Sequence, residues 1–336
     1  MTILVHADMP RTIPCPLAFV GEAPGEDEVL GQPPRPLIGP SGKVHDAMLR
    51  TAGLDRGDFY HGNVFEEKAD DNDVSTWLRD PAIFRPALKR LRAEMLKVQP
   101  TVIVPLGGTA LWAFTNSDAI SQARGAVALA TDVVPGVKLL PTWHPAHVMR
   151  QWKFFSVVVG DYIKAAEEAK VGPEIIYPHR ELLLVPTLAE IEAYMPSLFA
   201  SDLLSVDIET GWGQITCIGF APDSTRAICI PFFDRRQPNR SYWGSVEKEV
   251  RAWQLVKRVM ECDAPKLGQN FGAYDAYWLL EKMGIRSMNL LHDTRLIHHA
   301  LYPELPKDLA FLGASYTQQG PWKTMRQQKA TEKRDD

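Results

Sequence analysis

Leu17-Ala18-Phe19-Val20-Gly21-Glu22-Ala23-Pro24-Gly25-Glu26-Asp27-Glu28 is the stretch on which the reading of the first half of the chain turns. Four apolar residues run without interruption into a loop built from two glycines and a proline, the pattern of a buried strand feeding the edge of a sheet. Loops in that position carry chemistry, because the sheet fixes them while their amides and side chains stay open to a ligand. The acids Glu26 to Glu28 equally suit the first turn of a helix, where they offset the positive end of its dipole. On this stretch alone both readings stand.

Outward from it, Pro81 to Val98 has helical apolar spacing, and one face carries Arg85, Lys89, Arg90, Arg92 and Lys97. Such a face either lies along phosphates or is simply solvated. Thr101 to Leu106 predicts a strand, followed by Gly107, Gly108 and an apolar helix through Phe114. Val137 to Leu140 predicts another, running into Pro141-Thr142-Trp143-His144-Pro145, and Phe154 to Ala169 reads as a closing helix. This alternation implies an α/β domain with a mostly parallel sheet between helical layers. After it, VGPEIIYPHRELLLVP mixes proline, glycine and charge in the manner of a linker. The expected division is a first domain over 1–170, a linker over 171–184, a second domain over 185–322 and a polar tail over 323–336. In the second, Leu203 to Asp207, Gln214 to Ala221 and Arg226 to Pro231 predict a meander. Helices are expected over 246–261, 273–283 and 293–301, and strands first with helices later is an α+β or mixed-sheet signature.

A chain of 336 residues that is 45% hydrophobic buries a sizeable core and suits two domains. No apolar run approaches the roughly 20 residues of a membrane helix, and the first residues lack a signal-peptide pattern, so a cytoplasmic location is expected. Cys15, Cys217, Cys229 and Cys262 form no C-x-x-C pair, which argues against a zinc ribbon or a disulfide framework. The net charge of −4 gives no general attraction to nucleic acid, so contact with DNA has to come from local patches.

Behind the GEAPG loop come Gly31 to Gly42 (GQPPRPLIGPSG), then Gly62-Asn63-Val64-Phe65, Arg124-Gly125 and His144-Pro145-Ala146. The ordered set, over roughly residues 15 to 168, resembles the family 4 uracil-DNA glycosylases. The resemblance implies a three-layer α/β/α fold and hydrolysis of the N-glycosidic bond of a uracil flipped out of DNA. It assigns to Glu22 the carboxylate facing the sugar cation, with Glu26 or Glu28 as fallback. Asn63 takes the reading of the uracil edge, and His144 the stabilisation of the departing base. Gly21, Ala23, Pro24, Gly25, Leu37 and Pro145 would shape the substrate site, while Trp143, His147, Met149 and Arg150 either wedge into the duplex or pack the loop. Two features depart from the family. Its four cluster cysteines are reduced to Cys15, so no iron–sulfur cluster is expected, and Leu37 stands where an aromatic residue usually stacks on uracil.

In the second half, Ser205-Val206-Asp207-Ile208-Glu209-Thr210 places two carboxylates on one face of a strand. The apolar residues Leu203, Leu204, Val206 and Ile208 suggest a buried strand, in which such a pair calls for a cation. With Leu267-Gly268-Gln269-Asn270-Phe271-Gly272-Ala273-Tyr274-Asp275 it resembles the first two motifs of DEDD-type 3′→5′ exonucleases, a ribonuclease H-like α/β fold, over roughly residues 200 to 318. The resemblance implies that Asp207, Glu209 and Asp275 hold two Mg²⁺ or Mn²⁺ ions, supported by Asn270 and Tyr274. Asp293 reads as structural. The family's fourth carboxylate has no counterpart: Asp335 and Asp336 sit in the polar tail, and Glu304 comes too early after His299. The expectation is therefore a uracil-DNA glycosylase joined to an incomplete exonuclease domain from a phage-like replication or repair system. Its partners would be single- or double-stranded DNA and a polymerase or second polypeptide that completes the exonuclease fold. The alternative is a non-catalytic accessory module of a phage replication complex.

Overall fold

A computed structural model describes residues 3–317, so the polar tail over 323–336, with Asp335 and Asp336, lies outside the described residues. The chain forms two compact units. One runs to Ile175 and resumes at Asp308, and the other spans Ile176–Lys307.

The first unit is built on a five-stranded sheet of β1 (Leu17–Gly21), β2 (Tyr60–Asn63), β3 (Val102–Pro105), β4 (Ala128–Leu129) and β5 (Lys138–Leu139), in the order β2-β1-β3-β5-β4. All neighbours are parallel except β4 with β5. Its helices are α1 (Glu26–Leu30), α2 (Pro40–Thr51), α3 (Pro81–Val98), α4 (Gly108–Thr115), α5 (Ile120–Ala123), α6 (Pro145–Arg150) and α7 (Phe155–Val171). Every residue of β1 is buried, because alternate side chains serve opposite layers. Ala18 and Val20 pack with Leu91, Met95 and Val98 of α3 and Ala110 and Phe114 of α4. On the other face, Phe19 meets His45 of α2 and Tyr162 of α7 at ring-centroid distances of 5.1 and 5.0 Å. These are the three α/β/α layers expected from the alternating pattern.

The second unit has a six-stranded mixed sheet of β6 (Glu181–Leu183), β7 (Leu204–Gly211), β8 (Gln214–Ala221), β9 (Arg226–Pro231), β10 (Lys266–Gly268) and β11 (Leu290–Asp293), in the order β11-β10-β7-β8-β9-β6. The β7-β8-β9 meander is antiparallel and the outer pairings are parallel. Helices α8 (Leu188–Phe199), α9 (Val246–Met260), α10 (Asp275–Met283) and α11 (Thr294–Leu301) follow. Leu204, Val206 and Ile208 share a core with Ile191, Met195, Leu198, Leu255 and Val259 of α8 and α9. The strand thus buries one face only. Asp207 is exposed and Glu209 half-buried on the other, so the expected burial of this carboxylate pair is corrected by the two-residue alternation of a strand.

The last helix, α12 (Leu309–Tyr316), departs from the expected division of the chain, which placed it in the second domain. It belongs to the first unit, where it packs on α7. Arg124, 2% exposed, pairs with Asp161 of α7 at 2.8 Å and donates to the Ser315 hydroxyl at 2.9 Å. Its guanidinium lies between the rings of Trp143, at 5.2 Å, and Phe311, at 4.8 Å. Asp161 also accepts from the Thr142 hydroxyl at 2.5 Å. Lys164 donates to the carbonyls of Gly125, Ala314 and Thr317.

Candidate active site

The parallel strands of the first unit all end at one edge of the sheet, and each delivers a residue there. β1 is followed by Glu22, β2 ends in Asn63, β3 is followed by Leu106-Gly107-Gly108, and the chain leaving β5 reaches His144. The connections leaving β1 go to β2 on one side and on to β3 on the other, and the carboxyl edge of such a reversal is where open α/β sheets bind ligands. A pocket of about 610 Å³ lies there, a size suited to a small molecule. Its walls include Glu22, Leu37, Asn72, Gly107, His144 and Arg150.

His144 is the N-cap of α6, with its Nδ1 accepting the N–H of Ala146 at 3.1 Å. An imidazole that accepts at Nδ1 carries its proton on Nε2, so Nε2 is a donor. Burial, ahead of the nearby charge of Arg150, lowers its pKa to about 4, which keeps the ring neutral at pH 7. Asn63 is buried at the end of β2, and its Nδ2 has no partner among the described residues. An unpaired buried donor is costly unless a ligand or water takes it. Gly21 joins the two groups: a Cβ added there would overlap the Oδ1 of Asn63 and lie 3.6 Å from its Cγ and 3.7 Å from the Nε2 of His144. Only a residue without a side chain lets amide and imidazole come together at this edge.

Glu22 is half-buried and accepts a hydrogen bond from the hydroxyl of Thr109, in the first turn of α4. Glu28, an expected fallback, also lines the pocket. It is buried, accepts the N–H of Gly25 at 2.9 Å and is bonded to the backbone of Leu37 and Ile38, so it staples the GEAPG loop to the 31–42 loop. Glu26 stays exposed at the pocket wall. Leu37 is buried against the pocket in a left-handed conformation, φ 53°. Arg56 fixes it by donating to the carbonyls of Leu37 at 3.0 Å and Pro36 at 2.7 Å while pairing with Asp46 at 2.9 Å. A Cβ on Gly42 would run into that same Leu37 carbonyl, which explains the glycine in GPSG.

Of the other expected residues, Ala23 and Gly25 line the pocket, whereas Pro24 and Pro145 are buried and do not. Pro145 opens α6, where its fixed φ favours a helix start. For the two flanks the sequence left alternatives open. Arg90 donates to the carbonyls of Asn63 and Val64 at 2.7 Å each and to Glu94, which engages it within the fold, while Arg92 donates to the Val133 carbonyl and stays exposed. Trp143, 8% exposed, packs against Phe154 with ring centroids 4.2 Å apart and planes tilted by 45°, the loop-packing arrangement. Thr109 and Asn72 were missed from the sequence; the Gly107-Gly108 turn after a strand was the available signal for the first. An iron–sulfur cluster does not fit the donors here. The first unit's described residues hold Cys15 alone, and burial pushes its thiol up to about 11 while it donates to the Leu17 carbonyl.

In the second unit, Asp275 at the start of α10 is buried and its Oδ1 accepts the N–H of Ile208, between Asp207 and Glu209, at 2.9 Å. Burial pushes its carboxyl up to about 6, and the charges of Asp207 and Asp293 add to the rise against the Ile208 bond. Asp293 is structural as expected: it caps α11 and accepts the N–H groups of Asn270 at 3.0 Å and Phe271 at 2.8 Å. Tyr274 meets the Thr210 hydroxyl at 2.5 Å. Among the described residues no three His, Cys, Asp or Glu side chains stand close enough together to hold a metal ion.

An α/β/α unit that gathers a carboxylate, an amide and a neutral imidazole at the carboxyl edge of a parallel sheet belongs to the class of small-ligand-binding α/β domains with a polar, potentially hydrolytic site. The model of the uracil DNA glycosylase superfamily matches residues 12–165. The chain is 34% identical over 136 residues to the type-4 uracil-DNA glycosylase of Thermotoga maritima, covering 40% of this chain and 66% of that protein. It is 31% identical over 156 residues to that of Archaeoglobus fulgidus, covering 45% and 75%. It also aligns at 23% identity over 293 residues with a DNA polymerase of Bacillus phage SP01, covering 78% of this chain but 30% of the polymerase. Among solved structures, the catalytic core of RRP6 from Trypanosoma brucei is similar at 19% identity and a TM-score of 0.32, over 41% of this chain and 34% of that one. This chain belongs to the uracil DNA glycosylase superfamily.

Proposed function

We propose that the first unit hydrolyses the N-glycosidic bond of uracil in DNA. The observation that carries this reading is an imidazole whose Nε2 lies beside the same glycine as the buried, unpaired amide of Asn63, at the edge of a pocket lined by His144 and Glu22. Breaking the bond separates charge into an oxocarbenium-like sugar and a uracil anion. Asn63 accepts from N3–H and donates to O4 of uracil, a pattern that cytosine reverses. The Nε2–H of His144 donates to O2 as the negative charge grows, which a group that is already neutral does without prior loss of a proton. Glu22, oriented by Thr109, faces the sugar and takes a proton from the water that adds at C1′, while the departing uracil anion is protonated from solvent. Leu37 supplies an apolar wall. The test is incubation with single- and double-stranded oligonucleotides bearing one uracil, followed by alkaline cleavage of abasic sites. After wild-type treatment the alkali is expected to cut the oligonucleotide at the uracil position, and after treatment with the Glu22→Ala, His144→Ala variant to leave it intact; intact DNA with both proteins refutes the reading.

For the second unit we propose an exonuclease-like domain with an incomplete carboxylate set. Asp207 and Glu209 share one face of β7 and Asp275, raised to about 6, accepts the N–H between them, although the three carboxylates do not stand close enough together in this structure to hold a metal ion. Binding of Mg²⁺ or Mn²⁺ would require Asp207, Glu209 and Asp275 to draw together, and the ion would then supply an activated water for phosphodiester hydrolysis. Little Mg²⁺-dependent loss of a labelled 3′ end is expected. Robust degradation that disappears in Asp207→Ala would show the domain to be complete.

A further inference from the structure

The hairpin that leaves the carboxylate strand turns through Trp212 and Gly213, between the paired residues Gly211 and Gln214. Both central residues have positive φ, 53° and 78°, the signature of a type I′ turn. Asparagine followed by glycine is the favoured pair there, and a bulky side chain at its first position is disfavoured. Yet the position holds a tryptophan that is 61% exposed. Its ring stacks on Phe233 at 4.6 Å with planes 17° apart, and the guanidinium of Arg235 lies 4.4 Å from its centroid. Three planar groups are thus assembled at the surface, Trp212 on the hairpin that continues from Asp207 and Glu209 and Phe233 and Arg235 on the loop after β9.

The charge beside the stack has one sign. The loop after β9 carries Arg235, Arg236 and Arg240 against a single acid, Asp234, which Arg236 neutralises through contacts of 2.9 Å. Among the described residues no carboxylate lies within ion-pair distance of Arg235 or Arg240. In a chain with a net charge of −4, such a basic and aromatic surface is suited to a polyanion with flat groups. Single-stranded nucleic acid combines both, through stacking of bases on aromatic or guanidinium planes and contact of phosphates with arginine.

We propose that Trp212, Phe233 and Arg235 form a stacking platform for an unpaired base of single-stranded nucleic acid, with Arg240 contacting its phosphates. The site is separate from the uracil pocket and does not depend on whether the first unit excises uracil. The test uses the full chain in EDTA and a uracil-free, fluorescein-labelled oligo(dT), read by anisotropy. Trp212→Asn installs the favoured turn pair, so the unfolding temperature is expected to hold or rise while affinity falls by about tenfold, within the range for loss of one stacked base. Trp212→Phe is expected to keep most of the affinity, and Arg240→Gln to lower the salt slope by about 0.7. Photocrosslinking with 4-thiothymidine should label Trp212 or Phe233. Unchanged affinity in Trp212→Asn, absence of oligonucleotide binding by the wild type, or crosslinks confined to other segments would each overturn the proposal.

Discussion

Replacing Gly21 by alanine probes the site through one methyl group. The new Cβ would overlap the Oδ1 of Asn63, and relief to an ordinary contact needs a displacement of about 1 Å. The strand cannot supply it, because β1 is paired on both sides by β2 and β3. Nor can the backbone of Asn63, whose carbonyl is held by Arg90 at 2.7 Å. The amide side chain must therefore turn away, and a misplacement of that size lowers catalysis by about a hundredfold. Single-turnover excision from a uracil oligonucleotide measures the effect, with the unfolding temperature as a control for folding. The decisive comparison is a double-mutant cycle. If Gly21→Ala acts through Asn63, then Gly21→Ala in an Asn63→Ala background should have little further effect. Fully additive losses, or near-normal excision by a folded Gly21→Ala protein, would refute the reasoning.

Other consequences follow from the same geometry. Burial lowers His144 to about 4 and His61 to about 3, so the folded state declines protons that the unfolded chain binds near pH 6.5; stability should be complete above that pH and fall by about 1.4 kcal/mol per unit for each histidine as pH drops toward 4. Urea unfolding at pH 7 and pH 5 should show it, with a shallower dependence in His61→Gln. Phe311→Ala removes a buried ring from Arg124 and should destabilise the first unit by about 3 kcal/mol, a loss measurable by urea unfolding even though residue 311 follows the second unit in sequence. Arg56→Ala frees the carbonyls of Pro36 and Leu37 and should raise KM for uracil DNA more than it lowers kcat, since Leu37 is a wall of the pocket.

Much of the site was legible because its residues sit where strands end, and strand ends are marked locally. An apolar run followed by glycine places Glu22, and a glycine-asparagine pair closing a short strand places Asn63. A histidine-proline pair that opens a helix places His144. The spacing of Asp207 and Glu209 likewise showed that they share a face. It did not show that the face is open, because Leu203 and Leu204 in sequence look the same whether one layer or two cover the strand. Arg90 reads as part of a charged stripe, and no local pattern shows that it turns in to the backbone carbonyls of Asn63 and Val64. The ownership of α12 was hidden for a similar reason. Its contacts with Arg124 span 187 and 191 residues, and an apolar helix packs equally well on whichever unit offers it a surface.

The return of the chain to the first unit at Asp308 makes the second unit an insert held at both ends. A single protease cut within that insert therefore leaves two fragments still joined through α12, Arg124 and Lys164. Such a cut would be silent in native size-exclusion chromatography and visible only once a denaturant dissolves the clasp.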